Sequence, residues 1–367
     1  REAGVPLESS PMAADLFDAI VVGTGLAGPA LAARLAGAGQ KVAVIERGDF
    51  GGTCVNNGCT PTKTLVASAY AAHLARRARD YGVKAGKVSV DMKRVKARKD
   101  EIVRHSRTGL EQWMDGLKGA TVYRGHARFV GPSEVRVGSE NVRAERIFLN
   151  IGGRPFVPNI PGLDAVPYLT NVSMMDVDFV PEHLLVVGGS YVGLEFAQMF
   201  RRFGSRVTVI EMGERLVGRE DEDVSLAIQD VLRSEGIALR LGAKCITARK
   251  EAHGLSVGVE CREGAPREAG THLLLAVGRA PNTDDLGLEV AGIRTDKRGY
   301  IEVDDALRTS NPNVWALGDC NGKGAFTHTA YNDYEIVADN LLASAGRKHT
   351  DRILAYALYI DPPLGRV

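Results

Sequence analysis

Residues 18–46 read DAIVVGTGLAGPALAARLAGAGQKVAVIE, and residues 183–211 read HLLVVGGSYVGLEFAQMFRRFGSRVTVIE. The two stretches align without gaps at an offset of 165, and 10 of the 29 positions are identical. The shared positions include Gly23/Gly188, Gly28/Gly193, Gly39/Gly204 and Glu46/Glu211. Each copy reads as a short apolar strand, a glycine turn, a helix of about three turns, and a second apolar strand ending in Glu. That order is a βαβ unit. Two unrelated glycine turns do not account for these gapless identities, so the chain carries two copies of one phosphate-binding unit.

The glycines have mechanical roles in such a unit. Gly23 and Gly188 permit the tight turn off the strand, Gly25 lets backbone approach a pyrophosphate, and Gly28 and Gly193 let helix pack on sheet. The helix N-terminus then offers N–H groups and a positive dipole end to phosphate. Glu46 and Glu211, each 23 residues after the first glycine, stand where they can accept hydrogen bonds from ribose hydroxyls. Ser190 replaces the middle glycine in the second copy and leaves less room for the phosphate. Two dinucleotide sites in one chain imply an electron relay. Glu211 favours NADH over NADPH because a carboxylate repels a 2′-phosphate; Arg215 and Arg219 soften that preference.

Between the first unit and the next helix lies GGTCVNNGCTPTK, residues 51–63. Thr60 as N-cap, Pro61 at N1 and Gly82 as terminator predict a helix that puts Cys59 at or just before its N-terminus, where the dipole favours a thiolate. Lys63 adds positive charge one turn on. Three readings compete for Cys54 and Cys59: buried core thiols, half of a zinc site, or a redox-active disulfide. Core thiols do not need Gly51, Gly52 and Gly58 around them or polar Asn56 and Asn57 between them. Zinc needs two more ligands, and His73 and His105 lack ligand spacing. The redox pair fits the spacing, the cap and a reducing compartment, and leads beside a dinucleotide site. Cys245, Cys261 and Cys320 carry no motif and read as core or incidental thiols, and no metal ligand set is assigned.

Composition narrows the function classes. Forty-four per cent of residues are hydrophobic and 25% charged over 367 residues, which suits two or three globular domains. The formal charge of +1 gives no field to draw in nucleic acid or an anionic membrane. Apolar runs such as Leu273 to Val277 are far short of a membrane span, and five cysteines are too few for a secreted disulfide framework. The expectation is a cytoplasmic protein acting on a small molecule or metal ion, with residues 1–11 a disordered extension. The stretch 91–118 predicts a charged amphipathic helix with a solvated face.

Together these residues, with LLLAVGRAPNT (273–283) and NVWALGDC (313–320), resemble the pyridine nucleotide–disulfide oxidoreductases of the two-cysteine class. That group includes dihydrolipoamide dehydrogenase, glutathione reductase and mercuric reductase. The PTK ending and GAFTHTAYNDYEIV look most like mercuric-reductase-like proteins, including a copper-reducing branch. The resemblance implies an α/β fold with two Rossmann-like domains of the glutathione-reductase type. FAD would lie on Gly23, Gly25, Gly28, Glu46, Gly52, Thr53, Lys63, Gly318 and Asp319. NAD(P)H would lie on Gly188, Ser190, Tyr191, Gly193, Glu211, Gly278 and Arg279. By the same likeness Cys59 is the charge-transfer thiol, Cys54 the interchange thiol, Lys63–Glu195 an ion pair beside the flavin, and Tyr191 the aromatic that nicotinamide displaces. Asp319 follows a strand, where ligands collect, and Thr327 is expected to cap a helix starting near His328.

The expected FAD-binding domain spans 12–155 and 283–345, with an NAD(P)-binding domain inserted at 156–282 and GGRPFVPNIPG (152–162) as linker. Residues 346–367 would begin a C-terminal α+β dimerisation domain, the rest of which, with a His–Glu acid–base pair and the homodimer contact, falls beyond this chain. The expected activity is NAD(P)H-dependent reduction of a disulfide or of a soft metal ion such as Hg(II) or Cu(II). Dihydrolipoamide dehydrogenase and a diaphorase fragment are the alternatives.

Overall fold

The structure, a computed structural model, describes residues 15–260 and 265–367, the side chain of Cys245 excepted. The extension expected at 1–11 and the thiol of Cys261 lie outside the described residues. The chain divides into two compact units.

The first unit takes the described residues up to Gly52, then Gly109–Gly152 and Pro281–Arg352. Its sheet runs in the order Ala120–Arg124, Val42–Glu46, Asp15–Val22 and Glu140–Leu149, all parallel. Val314–Ala316 continues the parallel run on the last of these, and Glu134–Val137 and Ala127–Gly131 add an antiparallel edge. A parallel strand is covered on both faces, so its sequence is apolar without alternation; Ala19, Ile20 and Val21 are fully buried for this reason. The helix Gly28–Gly37 puts Leu31, Ala32 and Leu35 onto the sheet at helical spacing.

The second unit takes Thr53–Thr108, Gly153–Ala280 and Ile353–Val367. Its parallel sheet is ordered Ala238–Arg240, Arg206–Ile210, His183–Val187 and His272–Leu275, beside a three-stranded antiparallel sheet over Lys244–Glu251, Gly254–Glu260 and Arg267–Gly270. The helix Tyr191–Phe203 buries Leu194, Phe196, Ala197, Phe200 and Phe203, and Gly204 at φ +125° ends it. On this helix lies a second one, Cys59–Arg76, through Leu65 and Ala69. The charged helix spans Met92–Asp115. The last residues form two short antiparallel strands, Tyr356–Leu358 and Leu364–Arg366.

Two helix starts differ from expectation. Cys59 is itself the first helical residue and Gly58 holds the cap position, not Thr60. Gly58 fits there because a Cβ would lie 2.7 Å from the Thr53 carbonyl oxygen. Gly82, at φ +75°, closes the short 3-10 turn Ala78–Tyr81 that follows the helix. The later helix spans Thr327–Ala343 with Phe326 as its cap residue, so Thr327 is inside it; His328 stacks on Phe326 with ring centroids 5.7 Å apart.

Candidate functional site

In the first unit the strand Asp15–Val22 delivers the chain into a turn that only glycine can make. Gly23 sits at φ +100°, and a Cβ there would lie 2.3 Å from the Asn150 carbonyl oxygen. A Cβ on Gly28 would lie 2.1 Å from the Gly23 carbonyl oxygen, so helix and strand meet backbone to backbone. Asn150 is the residue that sequence reading missed. Its Oδ1 accepts the Gly28 N–H at 3.0 Å, its Nδ2 donates to the Leu317 carbonyl at 3.0 Å, and it crowds the position where Gly25 carries no Cβ. Asn150 thus takes the N–H of the first residue of the helix Gly28–Gly37, while the cap residue Ala27 makes no side-chain bond, an arrangement in which the remaining first-turn N–H groups suit phosphate.

Glu46 ends the second strand and folds back onto the turn. One carboxylate oxygen accepts the Thr24 N–H at 2.8 Å and its hydroxyl at 2.6 Å; the other accepts the Gly48 N–H at 2.8 Å. A carboxylate offers about four acceptor positions, so one remains for a ribose hydroxyl. Gly318 and Asp319 lie in a 3-10 turn after Val314–Ala316, and the fully buried Asp333 accepts the Gly318 N–H at 2.8 Å. Arg352 pairs with the other oxygen of Asp333. Cys320 in that turn is fully buried, and burial pushes its thiol up to about 12, which makes it inert.

The second unit repeats this geometry. Gly188 sits at φ +115° with a would-be Cβ 2.3 Å from the Ala276 carbonyl oxygen, and Gly193 meets the Gly188 carbonyl as Gly28 meets Gly23. Ser190 is the cap residue of Tyr191–Phe203, without a side-chain cap bond. Glu211 accepts the Gly189 N–H at 2.6 Å and the Gly213 N–H at 2.7 Å.

Cys54 and Cys59 are in the same unit, the first partly buried and the second exposed. The loop between them is pinned from two directions: Arg107 donates to the Asn56 side chain at 2.9 Å, and the Asn171 side chain donates to the Asn57 carbonyl at 3.0 Å. One turn after Cys59, Lys63 donates to both oxygens of Glu195 at 2.8 and 2.9 Å. Glu195 is 6% exposed and also accepts the Tyr359 N–H at 3.0 Å. The Lys63 ammonium stands 4.6 Å from the centroid of the Tyr359 ring. Arg279 donates to the Thr53 hydroxyl at 3.1 Å and to the Gly153 carbonyl, next to the thiol segment; Gly278, at φ +128°, precedes it.

A family model described as pyridine nucleotide-disulphide oxidoreductase matches residues 17–333. The chain belongs to that family. It is 36% identical over 357 residues to the mercuric reductase of Streptomyces lividans, covering 96% of this chain and 75% of the relative. It is 36% identical over 327 residues to the dihydrolipoyl dehydrogenase of Thermus scotoductus, covering 88% and 70%. A solved structure, the Cu(II) complex of the HOCl-induced flavoprotein disulfide reductase RclA from Escherichia coli, superposes with a TM-score of 0.86 at 34% identity, covering 96% of this chain and 77% of that one. As a pyridine nucleotide-disulphide oxidoreductase the chain is a flavoprotein of the FAD- and NAD(P)H-using kind. No helix among the described residues is long and apolar enough to cross a membrane.

Proposed function

We propose that the chain passes electrons from NADH through FAD to the Cys54–Cys59 pair, which reduces a disulfide or a soft metal ion of the Hg(II) or Cu(II) type. The observation that carries this reading is the placement of Cys59 as the first residue of an 18-residue helix, with the Lys63–Glu195 ion pair one turn in. The helix dipole favours a thiolate at Cys59.

The residues of the first unit fit FAD: a glycine turn with no room for a Cβ, a helix N-terminus whose cap residue Ala27 makes no side-chain bond, and Glu46 with an acceptor position left for a ribose hydroxyl. Gly23, Gly25, Gly28, Glu46, Gly52, Gly318 and Asp319 of this unit would hold it. FAD, when bound, supplies the two-electron carrier between nicotinamide and dithiol. Gly188, Ser190, Tyr191, Gly193, Glu211, Gly278 and Arg279 would hold the nicotinamide nucleotide. Preference for NADH rests on Glu211, whose charge opposes a 2′-phosphate, while Arg215 is drawn to Glu222 at 3.7 Å. The domains so used are 12–155 with 283–345, and 156–282, in a cytoplasmic homodimer.

With a disulfide acceptor, Cys54 as thiolate attacks one sulfur and expels the other half as a thiolate, which takes up a proton. Cys59 then attacks the Cys54 sulfur, releases the second thiol and closes the Cys54–Cys59 bond. A screen of Hg(II), Cu(II), lipoamide and glutathione disulfide with NADH and with NADPH tests the reading. Turnover of one acceptor that is lost in Cys54→Ser supports it. Dye reduction that survives Cys54→Ser, with no turnover of any of the four, leaves only a diaphorase; turnover of lipoamide alone makes it a dihydrolipoamide dehydrogenase.

A further inference from the structure

The loop after Glu211 is bound to the second glycine turn. Val217 donates its N–H to the Gly189 carbonyl at 2.9 Å. It does so at φ +42°, a left-handed conformation that a β-branched residue adopts only under constraint. Glu220 donates its N–H back to the Val217 carbonyl at 2.7 Å, so the bend fixes where the Glu220 side chain stands.

That side chain is 3% exposed and gathers three donors. The Tyr191 hydroxyl donates to its Oε1 at 2.5 Å and the Tyr356 hydroxyl to the same oxygen at 2.9 Å. Arg366 donates to its Oε2 at 2.9 Å. The rings of Tyr191 and Tyr356 meet edge to face, with centroids 5.8 Å apart. Burial first, and then the bond to Glu220, push the Tyr191 phenol far up, so it stays a donor at every physiological pH.

We propose that Glu220 is a positioning residue: it latches Tyr191 at the head of the helix Tyr191–Phe203 and thereby weakens nicotinamide nucleotide binding. The inference rests on the reading that the nucleotide uses the Gly188–Gly193 turn and displaces Tyr191. A ligand that binds only the displaced form has its affinity reduced by the fraction of molecules in that form. A short O–H to carboxylate bond keeps that fraction small.

Calorimetric titration of the FAD-loaded full chain with NAD⁺ tests the latch. Tyr191→Phe and Glu220→Gln should each lower the NAD⁺ dissociation constant, by about three- to tenfold, and the double variant should go no further than either single one. Tyr356→Phe removes a donor from the same carboxylate oxygen but keeps the ring against Tyr191 and the bond from Tyr191 to Glu220, and should leave the constant within about twofold. Unchanged or weaker NAD⁺ binding in Tyr191→Phe overturns the latch. So does additivity in the double variant, or equal tightening by Tyr356→Phe. Should Glu220→Gln fail to fold, Tyr191→Phe and Tyr356→Phe decide alone. A wild-type chain that neither binds NAD⁺ nor oxidises NADH overturns the underlying reading as well, whereas wild-type binding that the variants leave untouched overturns the latch only.

Discussion

Glu46 and Glu211 lie 165 residues apart, in separate units, and hold equivalent turns by equivalent bonds. Each accepts the N–H of the residue after the first glycine, Thr24 or Gly189, and the N–H two residues beyond itself, Gly48 or Gly213. The repeat in the sequence is therefore a repeat of hydrogen bonds. The acidic strand end organises the glycine turn in both units.

If so, Glu46→Ala destabilises the first unit by about 2–3 kcal/mol, since it removes charged acceptors from two N–H groups and a hydroxyl. Glu46→Gln should cost less, because an amide oxygen still accepts. Urea denaturation with and without FAD checks both values; an Ala variant as stable as wild type would confine Glu46 to ligand binding.

Glycine substitutions should divide sharply by position. Gly23→Ala and Gly188→Ala force a Cβ to within 2.3 Å of a carbonyl oxygen at positive φ, and each should cost at least about 3 kcal/mol. Gly37→Ala meets nothing within 4 Å near the end of its helix and should gain up to about 1 kcal/mol. Denaturation midpoints distinguish the two classes directly.

These contrasts also mark what could be read from the chain alone. Gly23, Gly28 and Glu46 were legible because their constraint is local: turn, helix and strand follow within thirty residues and recur at Gly188, Gly193 and Glu211. The exposed Cys59 at a helix start was legible from the composition around it, although the cap fell on Gly58, whose contact with the Thr53 carbonyl no pattern announces. Asn150 and Glu220 were not legible. Asn150 acts on Gly28, 122 residues earlier, and Glu220 is one acid in a charged loop, chosen by the bend at Val217 and by donors as distant as Arg366.

Lys63→Met should destabilise the second unit by about 2 kcal/mol, because it strands the buried Glu195 carboxylate; partial exposure of Lys63 keeps the figure below that of a fully buried pair. Lys63→Met combined with Glu195→Gln should recover part of the loss, as no lone charge is then buried. A double variant no better than the single one would show that packing, not charge, ties these side chains.

Acid should release Glu220. Burial works against its charge, but the bonds from Tyr191, Arg366 and Tyr356 outweigh burial and hold its carboxyl below the ordinary 4.5. Ionised Glu220 therefore stabilises the folded chain above pH 4.5, and that contribution is lost as pH falls through the lower folded value. The stability gap between wild type and Glu220→Gln should be widest near about pH 7 and shrink towards about pH 3.5, as read by urea midpoints. A gap that is constant with pH would show that the charge contributes nothing.

The central claim is that Cys54 and Cys59 carry the electrons. Anaerobic titration of the FAD-loaded chain with NADH, followed by visible absorption, tests it most directly. The account predicts a long-wavelength thiolate-to-flavin band after two electrons that is absent in Cys59→Ser. Bleaching of the flavin without that band in the wild-type chain would contradict it and make the two cysteines bystanders.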